Sequence, residues 1–226
     1  GFFHADMHPG NMLIDAEGRI VALDFGNDDQ TITSIGIDDY AGARLAARHL
    51  AELGHRRFGI LSLQAQDVAI GPSSYDYAIR GVYSGTRDRM RGYFDELADF
   101  GVDTGAIPIH ETENDRQTTH IALAHLFDRV DPPAAILSMS DRMAIEAIAW
   151  LKQRGFSVPG DVSIVGFDDV PEAATCQPAL TTVSQPGEEI GRRAAKAILE
   201  FDGTLRREIL PVELVIRGST SRPPRK

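Results

Sequence analysis

At 226 residues, 42% of them hydrophobic and 25% charged, the chain has the composition of a soluble globular protein with one large domain or two small ones. Its formal charge of −10, with one basic cluster at Arg222-Pro223-Pro224-Arg225-Lys226, argues against a surface built to hold nucleic acid, which needs clustered Lys and Arg. The single cysteine, Cys176, excludes an intrachain disulfide, no run of 18 apolar residues spans a membrane and no signal-type stretch opens the chain, so a cytoplasmic location is expected.

Met12-Leu13-Ile14 and Arg19 to Asp24, separated by Asp15-Ala16-Glu17-Gly18, predict a β-hairpin. The polar stretch beginning at Asn27 reads as a junction over 27–33. Strand and helix then alternate, the mark of a parallel α/β sheet. Ile35-Gly36-Ile37 is a short strand ending at Asp38-Asp39, and Leu45, Leu50 and Leu53 stand at helical spacing before a closing Gly54. Phe58 to Leu61 is the next strand. Residues 63–85 are rich in Gly, Ser and Tyr without clear periodicity, which predicts a long functional or mobile loop.

Met90, Tyr93, Phe94 and Leu97 mark a helix, and Ile107-Pro108-Ile109 an edge-type strand, because proline cannot donate to a central ladder. A helix is expected from Arg116 to Phe127 and a buried strand from Ala134 to Leu137. Ser140 or Asp141 caps a helix running to Arg154 and ended by Gly155. Val162 to Phe167 is a strand stopping at Asp168-Asp169. A helix from Ile190 to Phe201 ends at Gly203, one last strand from Ile209 to Ile216 is interrupted by Pro211, and 222–226 is a solvated tail.

Ligands of an open parallel sheet bind at the carboxyl ends of its strands. Three such ends carry polar residues: Asp38-Asp39, Ser140-Asp141 and Asp168-Asp169. A carboxylate there can accept two sugar hydroxyls, and a nearby arginine offers a planar fork of donors. The same acids are common helix N-caps. That reading is favoured for Asp141, whereas for Asp168 the pattern leaves capping and ligand contact open.

Five blocks, in order, resemble the LacI–GalR family of bacterial transcription regulators. They are Gly36 to Asp39 continuing through Gly42-Ala43-Arg44-Leu45-Ala46, His49-Leu50 and Leu53-Gly54-His55; Ser140-Asp141-Arg142-Met143-Ala144; Val158 to Asp169; Pro178 to Val183; and Leu214 to Thr220. The resemblance spans 34–221. It implies an α/β, periplasmic-binding-protein-like core of two lobes that close on a small effector. Arg89, three before Gly92, stands where the family's effector-gripping arginine stands, Asp168 matches its hydroxyl-binding aspartate, and Ser140 a position that is often Asn. Phe167 and Gln185 lie beside these. Trp150 is expected in core or dimer packing, and Cys176, before Pro178, at the contact of a homodimer.

The family's topology makes 57–183 with 206–220 one complete lobe. The other lobe keeps only the strand near Ile37, the helix after it and the helix at 190–201. The family's helix-turn-helix is not visible before residue 31. The expectation is a non-enzymatic, cofactor-free domain of a regulator that binds a small, sugar-like effector and meets DNA only through a module absent from this chain. A free-standing periplasmic-type sugar-binding protein is the second reading.

The first 26 residues resemble another family. His4-Ala5-Asp6, Asn11 and Asp24-Phe25-Gly26 have the spacing of a protein-kinase catalytic loop and metal-binding turn, and Phe3 to Asn11 is similar to the UbiB/AarF atypical kinases. That resemblance implies Asp6 as the catalytic-loop acid and Asn11 and Asp24 as magnesium ligands. No Gly-rich phosphate loop or pairing Lys and Glu precedes them, so a kinase-like phosphotransferase is the third reading and no catalysis is expected. A metal site of His4, Asp6 and His8 is disfavoured by the Gly-Pro neighbourhood. The two resemblances join near 27–33, as in a fusion.

Overall fold

The computed structural model describes residues 11–14, 20–23, 33–68, 70–200, 202 and 204–224. The expected hairpin is there: β1 (Asn11–Ile14) and β2 (Ile20–Leu23) pair antiparallel, from Asn11↔Leu23 to Ile14↔Ile20. β3 (Thr33–Ile37) lies parallel to β2. Asp38 caps α1 (Asp39–Glu52) by accepting from the Ala41 amide at 2.8 Å. Gly54, at φ +102°, takes the left-handed conformation that ends the helix.

After β4 (Phe58–Leu63), the stretch expected as a loop carries β5 (Pro72–Ser73) and α2 (Tyr75–Ala78) before α3 (Ser84–Asp99). Elements this short leave no periodicity to read. The edge-type strand at Ile107-Pro108-Ile109 is corrected. β6 (Ile109–Thr112) starts after the proline and lies between β4 and β5, while Pro108 supplies only its carbonyl, to the Ile60 amide at 3.0 Å. Then follow α4 (Arg116–Phe127), β7 (Ala135–Ser138), α5 (Asp141–Gln153), β8 (Ser163–Asp168), α6 (Pro171–Thr175), β9 (Thr181–Ser184), α7 (Gly187–Leu199), β10 (Arg207–Leu210) and β11 (Glu213–Val215).

Two sheets result. The larger runs β11-β9-β8-β7-β4-β6-β5, with five parallel inner strands and an antiparallel strand at each edge. β4 and β7 are buried throughout, as expected of parallel strands covered on both faces. The smaller runs β1-β2-β3-β10, with α7 against β2 and β3.

Two further expectations are corrected. The last strand is two: Pro211 breaks the ladder, β10 pairs parallel with β3 in the small sheet, and β11 pairs antiparallel with β9 in the large one. Residues 206–220 therefore do not all belong to one lobe. The helix after β3 also leaves the small sheet, since α1 packs on α3 and over β7, β8, β9 and β11. Its buried face is small (Ala43, Ala46 and Ala47), and Gly92 of α3 lets the two backbones approach until a Cβ would strike the Tyr40 carbonyl. The chain thus passes between the sheets at residues 37–39, 184–187 and 210–213. The first and last crossings are tied by the Asp38 amide, which donates to the Leu210 carbonyl at 3.2 Å.

Candidate functional site

Arg89 lies on the face of α3 that also buries Met90, Tyr93 and Leu97, and it is 1% exposed. A cation held this deep needs compensation. Its Nε donates to Asp39 Oδ1 at 2.6 Å and its Nη1 to the Met139 carbonyl at 2.5 Å. The guanidinium lies over the Phe167 ring, 3.7 Å from its centroid, an arrangement that adds cation–π attraction. Nη1 stands 3.9 Å from Asp168 Oδ1. Four elements converge here: the starts of α1 and α5, the flank of α3 and the end of β8.

Asp168 closes β8 at φ +122° and Asp169 follows at φ +58°, a region L side chains rarely adopt. Such residues store on the order of 1–3 kcal/mol each and gather where a ligand or switch needs them. Gln185 Nε2 donates to Asp168 Oδ1 at 2.8 Å. Asp169 accepts from Arg217 Nη2 at 2.6 Å, which pins the second acid away from the first.

Between the two candidates at Ser140-Asp141, the cap is Ser140: its buried Oγ accepts from the Arg142 amide at 3.3 Å. Asp141 instead accepts from Thr182 Oγ1 at 2.5 Å and from the Val170 amide at 3.0 Å, locking α5 to β9 and to the loop after β8. Burial pushes its carboxyl up, and those hydrogen bonds only partly offset the shift.

The fold therefore gathers Arg89, Phe167, Asp168 and Gln185. Ser140 is next to the Met139 carbonyl but its hydroxyl oxygen serves the cap. Trp150 is buried in the chain's own core, 5.7 Å from Phe127 between ring centroids and with the Arg154 guanidinium 3.7 Å from its ring. Cys176 is half-buried; its Sγ donates to the Pro178 carbonyl at 3.2 Å, and burial pushes its thiol up, so it is no ready nucleophile. Asn11 lies in β1, while Asp24, His4, Asp6 and His8 lie outside the described residues, and the magnesium-ligand expectation with them. Among the described residues no group of three or more His, Cys, Asp and Glu could hold a metal ion, and no helix is long and apolar enough to cross a membrane.

Sequence reading flagged Asp39 only as a strand-end acid; its role as the buried partner of Arg89 has no local signal. The same is true of the Met139 carbonyl. Two cavities at the β5 edge of the large sheet are lined by other residues altogether.

Residues 47–220 match the periplasmic binding protein-like domain family, and residues 1–43 match the ABC1 atypical kinase-like domain. The chain is 31% identical to the HTH-type transcriptional regulator Rv3575c of Mycobacterium tuberculosis, over 91% of this chain and 57% of the regulator, so it spans little more than half that relative's length. A LacI-family transcriptional regulator of Corynebacterium glutamicum has a similar structure, with a TM-score of 0.78 and 28% identity over 89% of this chain and 60% of the other. The transcriptional regulator CelR, solved in complex with cellobiose, gives a TM-score of 0.73 and 25% identity over 88% of this chain and 58% of the other.

Proposed function

Since the chain belongs to the periplasmic-binding-protein-like effector domains of the LacI family, we propose that it binds a sugar-like effector at the carboxyl ends of β7 and β8, between the two sheets. The carrying observation is the Arg89 guanidinium laid on Phe167 beside Asp168, whose backbone is strained and whose carboxylate is oriented by Gln185. In this reading Asp168 accepts from ligand hydroxyls, Arg89 donates to ligand oxygens, and the Phe167 ring keeps the guanidinium flat. CelR's cellobiose supports a carbohydrate as the ligand class. The domain would serve a cytoplasmic regulator as its sensor, as a homodimer and without chemistry of its own.

A thermal-shift screen of monosaccharides, disaccharides and nucleosides, followed by calorimetry on the hits, tests this reading. Arg89→Ala and Asp168→Ala each remove a charged hydrogen bond worth about 1.5–3 kcal/mol, so each weakens binding roughly tenfold to a hundredfold. Asp168→Asn, which keeps the shape, serves as the folding control. Tight binding that neither alanine variant changes would put the ligand somewhere else.

A further inference from the structure

At the β5 edge of the large sheet, separated from β8 by β7 and β4, lies a carboxylate that the proposed crevice does not use. Glu111 of β6 is 2% exposed. It accepts from Ser73 Oγ at 3.2 Å, a neutral donor, and among the described residues no basic side chain pairs with it. A buried carboxylate without a cation is costly to keep, and such groups concentrate at functional sites. Burial pushes its pKa up accordingly.

Glu111 also lines a cavity of about 580 Å³, together with Ile70, Pro72, Ser74 and Tyr77. That size lies within the roughly 300–1,000 Å³ usual for small-molecule sites. Burial and then the Glu111 charge raise the Tyr77 hydroxyl, so phenol and carboxylate sense each other on this cavity. An anion here would face Glu111 with nothing to offset it, and a neutral ligand would leave the carboxylate uncompensated. A compact cation satisfies both walls, donating to the carboxylate and resting against the aromatic face. We propose that this cavity is a second small-molecule site, independent of the Asp168 crevice, that takes a protonated amine on Glu111.

Calorimetry on the full chain with putrescine and with glucosamine tests the assignment, with butanediol as the uncharged counterpart of putrescine. At least one amine binds saturably, putrescine if it binds does so about tenfold or more tighter than butanediol, and Glu111→Gln removes the amine binding while circular dichroism shows the fold intact. Tyr77→Ala weakens it several-fold, and Tyr77→Phe, which keeps the ring, does not. Saturation by neither amine, or equal affinity in Glu111→Gln, overturns the proposal. So does loss of amine binding in Asp168→Asn, which would assign the amine to the other carboxylate and leave the crevice reading standing.

Discussion

Arg89 Nε donates to Asp39 at 2.6 Å, with the two side chains 1% and 4% exposed, so a buried ion pair joins the middle of α3 to the first residue of α1. Removing one partner of such a pair costs about 3–5 kcal/mol, because the other charge loses its compensation in a poorly solvated place. Asp39→Ala should lower the unfolding free energy by that much and Asp39→Asn by less, as measured by urea denaturation. A loss under about 1 kcal/mol, the range of exposed pairs, would show that solvent reaches Arg89 after all.

The α1–α3 contact makes a sharper steric prediction. A Cβ at Gly92 would strike the Tyr40 carbonyl and come within 2.7 Å of the Ala43 Cβ, and backbone cannot rotate out of the way. Gly92→Ala should therefore destabilise by about 1–3 kcal/mol, the usual cost of overpacking. Gly191, inside α7 with open space where its Cβ would stand, should respond the opposite way. Gly191→Ala gains up to about 1 kcal/mol from helix propensity. Paired melting curves followed by circular dichroism decide both, and a destabilised Gly191→Ala would contradict the placement of α7.

Two histidines hold the C-terminal segment. His49 Nε2 meets Thr220 Oγ1 at 2.9 Å, and His55 Nε2 meets the Ser221 carbonyl at 2.9 Å. Burial lowers the pKa of both, and the buried Nδ1 of His55 has no hydrogen-bond partner to receive a second proton's N–H. A folded value below the unfolded one, about 6.5, means that the unfolded chain takes up protons first. Stability is then complete above about pH 6.5 and declines as pH falls through the lowered folded values. Urea midpoints from pH 8 down to pH 5 should trace that decline, more shallowly in His55→Gln. A midpoint that rises on acidification would reverse the sign and refute the account.

Glu111 carries the opposite linkage. Its folded pKa lies above its unfolded one, so the folded state favours the protonated carboxyl, and ionisation costs stability as pH rises through that interval. Glu111→Gln should raise the melting temperature at pH 8 and change it little at pH 4. Stabilisation at the acid end alone would exclude burial as the cause.

What the sequence disclosed and what it hid divide along the range of the interaction. α4, expected from roughly Arg116 to Phe127, was legible because its buried positions, Thr119, Ala122, Leu123 and Leu126, all lie within a dozen residues of one another. Gly54 announced the end of α1 for the same reason. Pro211 announced a break, but not that its two sides enter different sheets, since β10 finds β3 and β11 finds β9 through distant partners. An alanine-rich face like that of α1 suits either sheet, and Gly92 on another helix decides the matter. In the proposed crevice, Arg89 and Asp168 were singled out by the family resemblance, with Phe167 and Gln185 named only as lying beside them. Asp39 as a partner and Glu111 as a buried acid were not, because each depends on what the fold sets opposite one polar residue.

The small sheet also has a consequence for how the protein is made. Thr33 Oγ1 accepts from the Arg206 amide, 173 positions further along, and β10 completes the sheet beside it. A ribosome adding about 5–20 residues per second needs on the order of ten seconds or more to cover that distance. The strands of the large sheet other than β11 are closer neighbours in sequence and can pair meanwhile, so the nascent chain carries a large sheet lacking only its last edge strand and a small sheet with one open strand edge. An open edge invites pairing with another chain. Slow codons between β3 and β10 lengthen that exposure, and a chain released before Arg207 never closes it.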